Sequence, residues 1–129
     1  MPQSTSQNNN SVRIIAGEFR SRKLEFPSLE GLRPTADRIR ETLFNWLQDS
    51  IAGETCLDLF AGSGALGFEA LSRGASQVDF IEQSSSAVNS IRDNIERLGA
   101  KHGNVYCSDA FEWLERSAQN SKQYGLVFL

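Results

Sequence analysis

Asp58-Leu59-Phe60-Ala61-Gly62-Ser63-Gly64-Ala65-Leu66-Gly67 reads as a strand that runs into a glycine-rich turn and then into a helix. Glycines there let backbone N–H groups approach a ligand closely, and the helix N-terminus adds partial positive charge. The Gly62-x-Gly64-x-x-Gly67 spacing fits a dinucleotide fingerprint, which by itself is a weak signal. Context strengthens it. Glu82 ends the next apolar run, twenty residues after Gly62, where a carboxylate can accept hydrogen bonds from both hydroxyls of a ribose.

Outward from this turn the chain alternates strictly between strand-like and helix-like segments. Strands are expected at 55–60, 77–82, 104–108 and 124–129, with helices over 64–73, 84–98 and 110–117 between them. Gly74 and Gly99 close the first two helices. Such alternation implies parallel strands joined by right-handed crossovers, a doubly wound α/β sheet of Rossmann-like type. Ligands of such sheets bind beyond the carboxyl ends of the strands.

Glycine spacing does not separate a nicotinamide dinucleotide from S-adenosyl-L-methionine, but Asp58 favours the second. A dinucleotide strand stays apolar up to its first glycine, because a diphosphate must be cradled there. An acid four residues before Gly62 would repel diphosphate and suit a cationic sulfonium and amino group. Asp109 follows the third strand, where a carboxylate can meet the adenine amino group or cap the helix that begins at Ala110. The two roles are compatible.

Before the alternating region lie two β-like runs, 12–16 and 22–26, separated by Gly17 and a polar stretch as a hairpin requires. A loop to Pro34 leads to a helix with Thr35 as N-cap and a stripe of Ile39, Leu43, Trp46 and Leu47, widened by Phe44. That spacing assigns Trp46 and Phe44 to the core rather than to base stacking. The chain of 129 residues carries a net charge of −3, yet residues 1–47 hold seven basic and five acidic side chains. The excess points weakly to a polyanion at the N-terminal end, against the plainer reading of a solvated face. Arg20, Arg22 and Lys23 on the hairpin are expected near the site entrance, where they would meet phosphates.

Residues 1–10 lack the basic and apolar regions of a signal peptide, and no apolar run is long enough to span a bilayer, so a cytoplasmic location is expected. Cys56 and Cys107 fall on strands that flank a third, roughly 9.6 Å apart. That is too far for a disulfide, and both are expected to be buried free thiols. His102 is the only histidine and has no metal-ligand companions in sequence, so no metal site is expected.

The segments 13–17, 22–24 and 31–47 (Gly31-Leu32-Arg33-Pro34-Thr35-Ala36-Asp37-Arg38-Ile39-Arg40-Glu41-Thr42-Leu43-Phe44-Asn45-Trp46-Leu47), with the glycine turn, resemble the RsmD family of guanine N2 methyltransferases of 16S rRNA. The resemblance covers almost everything from Val12 to Leu129, and its Arg-Pro-Thr block is far more specific than the glycine motif. It implies S-adenosyl-L-methionine as cofactor, with Asp58, Gly62 and Gly64 around the methionine moiety and Phe60 and Ala61 also among the cofactor-binding residues. It puts Glu82 on the ribose, Asp109 and Ala110 at the adenine, and Thr35 at the cofactor mouth, with Gln83 also among the cofactor-binding residues. Arg33 and Arg38 join Arg20, Arg22 and Lys23 as RNA contacts.

Similar proteins follow the fourth strand with an Asp/Asn-Pro-Pro-Phe/Tyr block that holds the target base, and nothing follows Leu129 here. The expectation is therefore a cofactor half without its catalytic half: no catalytic residue within the chain, and no methyl transfer by these residues alone. Leu126 and Phe128 are expected to be exposed on a sheet edge and to invite self-association, whereas the whole protein is expected to be a monomer. The expected organisation is a disordered polar tail over 1–11, a hairpin-plus-helix entrance element over 12–52, and a Rossmann-like cofactor half domain over 53–129. The partner is 16S rRNA, free or within the small ribosomal subunit, and no membrane. Two other readings stay open: an NAD(P)-dependent oxidoreductase using the same turn, and a non-catalytic RNA-binding fragment.

Overall fold

Apolar residues that alternate along a strand bury one face, and β2 (Lys23–Pro27) does so through Leu24 and Phe26. It pairs antiparallel with β1 (Asn9–Arg13), Val12 opposite Leu24. A computed structural model describes residues 9–27, 37–120 and 123–129. β1 begins at Asn9, inside the segment expected to be a disordered tail, because its backbone continues to pair with β2 as far as Pro27. The expected loop over 28–34 and the expected cap Thr35 lie outside the described residues.

The hairpin is followed by α1 (Asp37–Leu47), β3 (Thr55–Asp58), α2 (Ala65–Ser72), β4 (Gln77–Glu82), α3 (Ser85–Leu98), β5 (Gly103–Cys107), α4 (Ala110–Gln119) and β6 (Leu126–Phe128). The four later strands form one parallel sheet in the order β5-β4-β3-β6. Chain order reverses at β3, which makes the fold the doubly wound Rossmann-like α/β sheet read from the alternation. β3 and β6 are shorter than their expected runs, since Phe60 and Leu129 lie beyond the paired registers, while β4 matches its run and β5 is shifted by one residue.

Alternation within β3 and β4 splits the interior in two. Cys56, Val78 and Phe80 face a large core shared with Phe44, Phe68, Ile91 and the hairpin's Ile14 and Leu24. Leu57, Leu59 and Ile81 face a smaller core under α4, with Tyr106, Trp113 and Tyr124 packed against it. Gly67 is where α2 lies on β4: an added Cβ would stand 2.2 Å from Phe80 Cε1. Gly17 meets the end of α2 as closely, with its φ at 91° and a would-be Cβ 2.0 Å from the Ser72 carbonyl oxygen.

α1 buries part of the predicted stripe, Phe44 in the large core with Leu43 and Leu47 packed against it, but not Ile39 or Trp46. Ile39 is 60% exposed and Trp46 80% exposed, whereas Arg40 and Phe44 are fully buried. Phe44 packs on Phe128 and under the Arg73 guanidinium. The reason is ionic. Arg40 Nη1 reaches Glu69 Oε1 at 3.3 Å and Nη2 reaches the Arg13 carbonyl at 3.1 Å, so a charged residue belongs to the buried stripe and turns it away from Ile39 and Trp46. Arg40 is thus no part of a basic surface.

Glu69, itself without exposed side-chain area, also accepts from Ile15 N at 2.9 Å, Ala16 N at 3.1 Å and Arg73 Nε at 2.9 Å. Two further expectations are corrected here. Phe128 is buried beneath Phe44 and Leu126 is half-buried, and the exposed side chains of that strand end are Val127 and Leu129. Cys56 is buried, but Cys107 is exposed at the end of β5, an edge of the described sheet. Both thiols are free, as expected.

Removing one member of a buried ionic cluster strands the others without partners and costs about 3–5 kcal/mol. Glu69→Ala is expected to lower the unfolding free energy by that amount in urea titrations. Exposed Glu41→Ala should stay within about 0.5 kcal/mol of the parent.

Candidate cofactor-binding site

At the carboxyl end of β3 the chain turns through Phe60 to Gly64, with φ at 56° for Gly62 and 83° for Gly64. These left-handed conformations are ones that side chains with a Cβ rarely adopt. Gly64 is the N-cap of α2 and lacks a side-chain cap, so neighbouring groups must serve the first amides. They do: Gly64 N donates to the Ala61 carbonyl at 2.8 Å and Ala65 N to Ser63 Oγ at 3.3 Å. Asp58 Oδ2 accepts from Gly67 N at 3.1 Å.

Glu82, at the end of β4, accepts from Gly62 N through Oε1 and from Ser84 N through Oε2, each at 2.8 Å. It therefore links the turns that follow the two central strands. Each of its oxygens keeps lone-pair capacity for another donor. Ser84 caps α3 by accepting from Ala87 N, and Gln83 stands exposed between Glu82 and Ser84. Gln83 lends its carbonyl to the Cys107 thiol at 3.6 Å, which ties the β4 and β5 ends together.

Beyond β5, Asp109 Oδ1 accepts from Phe111 N at 2.8 Å and Glu112 N at 3.2 Å, so the side chain caps α4. Oδ2 has no partner among the described residues, so capping and ligand binding by Asp109 are compatible, as the sequence suggested. Ala110 is buried behind it, while Phe60 and Phe111 are exposed at 61% and 74% on either side. Phe111 and Ser84 were passed over in the sequence. The first looked like one apolar residue of a helix and the second like one serine among three, and only the cap geometry singles them out.

Asp58, Phe60, Ala61, Gly62, Gly64, Glu82, Gln83, Asp109 and Ala110 are thus gathered at the carboxyl ends of β3, β4 and β5. Thr35 and Arg33 lie outside the described residues. Arg38 is exposed in the first turn of α1. That helix runs down to the loop that starts β3, so its first turn lies toward the same end as the glycine turn.

The hairpin cations are elsewhere. β2 runs along α3, with the Lys23 carbonyl held by Arg97 and the Glu25 carbonyl held by Ser90 and Asn94. The Lys23 end therefore lies beside the C-terminus of α3, at the amino ends of the strands. Arg20, Arg22 and Lys23 consequently do not line the entrance of the site. Among the described residues no group of His, Cys, Asp and Glu could hold a metal ion, and no helix is long and apolar enough to cross a membrane.

Burial raises the Asp58 carboxyl to about 7; the Gly67 amide opposes this and the nearby Glu82 charge adds to it. An acid whose folded pKa lies above its unfolded value, near 3.9, stabilises the fold while protonated. That contribution is whole below about pH 4 and is lost as pH rises to about 7. Asp58→Asn is expected to abolish the loss. Its stability advantage over the parent should grow between those pH values, by at most about 4 kcal/mol in urea titrations at each pH.

The family described as "Conserved hypothetical protein 95" matches residues 12–129. The chain is 47% identical over 120 residues to Haemophilus influenzae "Ribosomal RNA small subunit methyltransferase D" and 47% identical over 118 residues to the Escherichia coli protein of that name. Each match covers 92% of this chain, but only 62% and 58% of those relatives. The chain thus spans about three fifths of their length. The solved structure of yhhF from Escherichia coli superposes with a TM-score of 0.75 at 48% identity, over 81% of this chain and 58% of that one. A family match over residues 12–129, which takes in the hairpin, α1 and the glycine turn, makes this chain a member of the RsmD family.

Proposed function

We propose that this chain forms the S-adenosyl-L-methionine-binding part of a methyltransferase of small-subunit ribosomal RNA, with the N2 amino group of a guanine in 16S rRNA as its target. The observation that carries the reading is the pair of carboxylates at the glycine turn. Asp58 occupies the Gly67 amide and Glu82 the Gly62 amide, so two N–H groups that a diphosphate would need already serve carboxyl oxygens. Two acids so placed favour a cation over a dinucleotide. The names of the relatives add the reaction class and the RNA.

When bound, the cofactor supplies a methyl group on a cationic sulfur. In this reading Asp58 holds its positive end, with Phe60, Ala61, Gly62 and Gly64 enclosing the methionine moiety. Glu82 accepts from the ribose hydroxyls with the lone pairs its amide contacts leave open. Asp109 Oδ2 accepts from the adenine amino group beside Gln83 and Ala110. Thr35 stands at the mouth of the site, and Arg33 and Arg38 meet RNA there. The resemblance puts the groups that hold the target base after β6, so no catalytic residue is assigned within the chain. A cytoplasmic site of action among ribosomal precursors fits this chemistry.

Glu82→Ala removes charge-assisted hydrogen bonds worth about 1.5–3 kcal/mol. Calorimetric titration with S-adenosylhomocysteine should show binding weakened about tenfold to a hundredfold. The parent should bind this ligand and leave NADH unbound. Tight NADH binding, or an affinity for S-adenosylhomocysteine that ignores Glu82, would sink the reading.

A further inference from the structure

The hairpin cations are not scattered. At the amino ends of the strands, Arg22 Nη2 donates to the Arg97 carbonyl at 3.5 Å, Arg97 donates to the Lys23 carbonyl, and Arg13 Nη1 donates to the Ser21 carbonyl at 2.8 Å. Phe19, next to Arg20, lines one cavity with Lys101 and His102. Arg13, Arg20, Arg22, Lys23, Arg97 and Lys101 are all exposed, and none is in an ion pair among the described residues. The exposed acidic residues of these segments are Glu18, Glu25, Asp93 and Glu96, four against the six cations, so positive charge prevails here although the chain as a whole is at −3. Separate elements contribute these cations: β1, the hairpin loop, β2, α3 and the turn before β5. Capping of a single helix end does not account for them.

We propose that this end of the domain is a second phosphate-contacting surface, which grips the RNA backbone away from the target base. The inference rests on the reading of the protein as an rRNA methyltransferase and adds the path its substrate takes. The fourteen residues of α3 separate the surface from the glycine turn by about 20 Å. RNA that touches both ends must run along the domain rather than only enter its mouth. A membrane fits less well, because residues 13–23 and 97–103 expose no large apolar side chain to insert. Clustered exposed cations that are not in ion pairs bind polyanions by releasing counterions, so the affinity should depend steeply on salt.

The test is the chain carrying Arg20→Glu, Lys23→Glu and Lys101→Glu, whose side chains make no hydrogen bonds among the described residues. Binding of a fluorescein-labelled RNA duplex is followed by anisotropy from about 50 to about 200 mM salt. Affinity at low salt should fall at least about tenfold, and the slope of log K against log salt should flatten by about 2–3. S-adenosylhomocysteine titration should be unchanged. Affinity and slope like those of the parent would overturn the inference and leave the methyltransferase reading to its own titration. Binding to phosphatidylglycerol vesicles without binding to RNA would overturn RNA as the partner. If charge reversal lowers the thermal midpoint, Arg20→Gln, Lys23→Gln and Lys101→Gln carry the test, with a slope change in the same direction expected.

Discussion

A carboxylate removed from water costs several kcal/mol unless donors surround it, and Glu69 has no exposed side-chain area. Its donors come from three places: Ile15 and Ala16 in the hairpin loop, Arg40 on α1, and Arg73, the residue that caps the C-terminal end of α2. Only one arrangement of hairpin, α1 and α2 brings them together. Packing of apolar surface tolerates sliding, but a buried charge does not. The ion cluster thus sets where α1 lies, and with it the place of Arg38 in its first turn. Ser72 extends the joint by accepting from Phe19 N at 2.9 Å and donating to the Ala16 carbonyl.

The other face of the sheet has a polar joint of its own. Asp79, buried on β4, accepts from Tyr124 Oη at 2.7 Å, Gln77 Nε2 at 3.1 Å and Asn104 Nδ2 at 3.4 Å. Burial and the Asp79 carboxylate push the Tyr124 hydroxyl well above its ordinary range, so it stays a donor. Tyr124 precedes β6, and its anchorage brings that strand into register with β3, Phe128 beside Asp58. Leu59 N then donates to the Phe128 carbonyl at 3.1 Å, which fixes the point where β3 gives way to the glycine turn. A polar contact on the smaller core thereby helps to shape the site at the top of the larger one.

At the site itself, electrostatics reverses what the backbone alone would prefer. A glycine turn opening a helix presents amides and a positive dipole end to anions. Asp58 and Glu82 consume part of that capacity and leave negative charge in its place. The opposite end of the domain gathers exposed arginines and lysines. The two ends of the domain therefore differ in local charge, with Asp58 and Glu82 beside the glycine turn and a group of exposed arginines and lysines at the other end.

Strand and helix order, the doubly wound topology, and the pairing of the Gly62 turn with Glu82 were legible in the sequence, because they rest on local periodicity and on a spacing set by one β-α-β unit. The gathering of Asp58, Glu82 and Asp109 at one edge followed from the same rule. What periodicity does not carry is the partner of a charged side chain. Arg40 looked like surface until Glu69, twenty-nine residues away, was seen to meet it. The same meeting left Trp46 and Ile39 in solvent, contrary to their helical spacing. Cys107 looked buried because its segment is apolar, yet β5 is an edge of the described sheet and its last residue faces outward. The hairpin was read correctly as a hairpin, but which end of it lies near the site depends on how β2 docks along α3. The sequence by itself determined the elements and their order, since these follow from hydrophobic period and glycine placement. Only the tertiary structure decided which charges are buried, which aromatic residues are exposed and where the basic surface lies, since these depend on contacts between residues far apart in the chain.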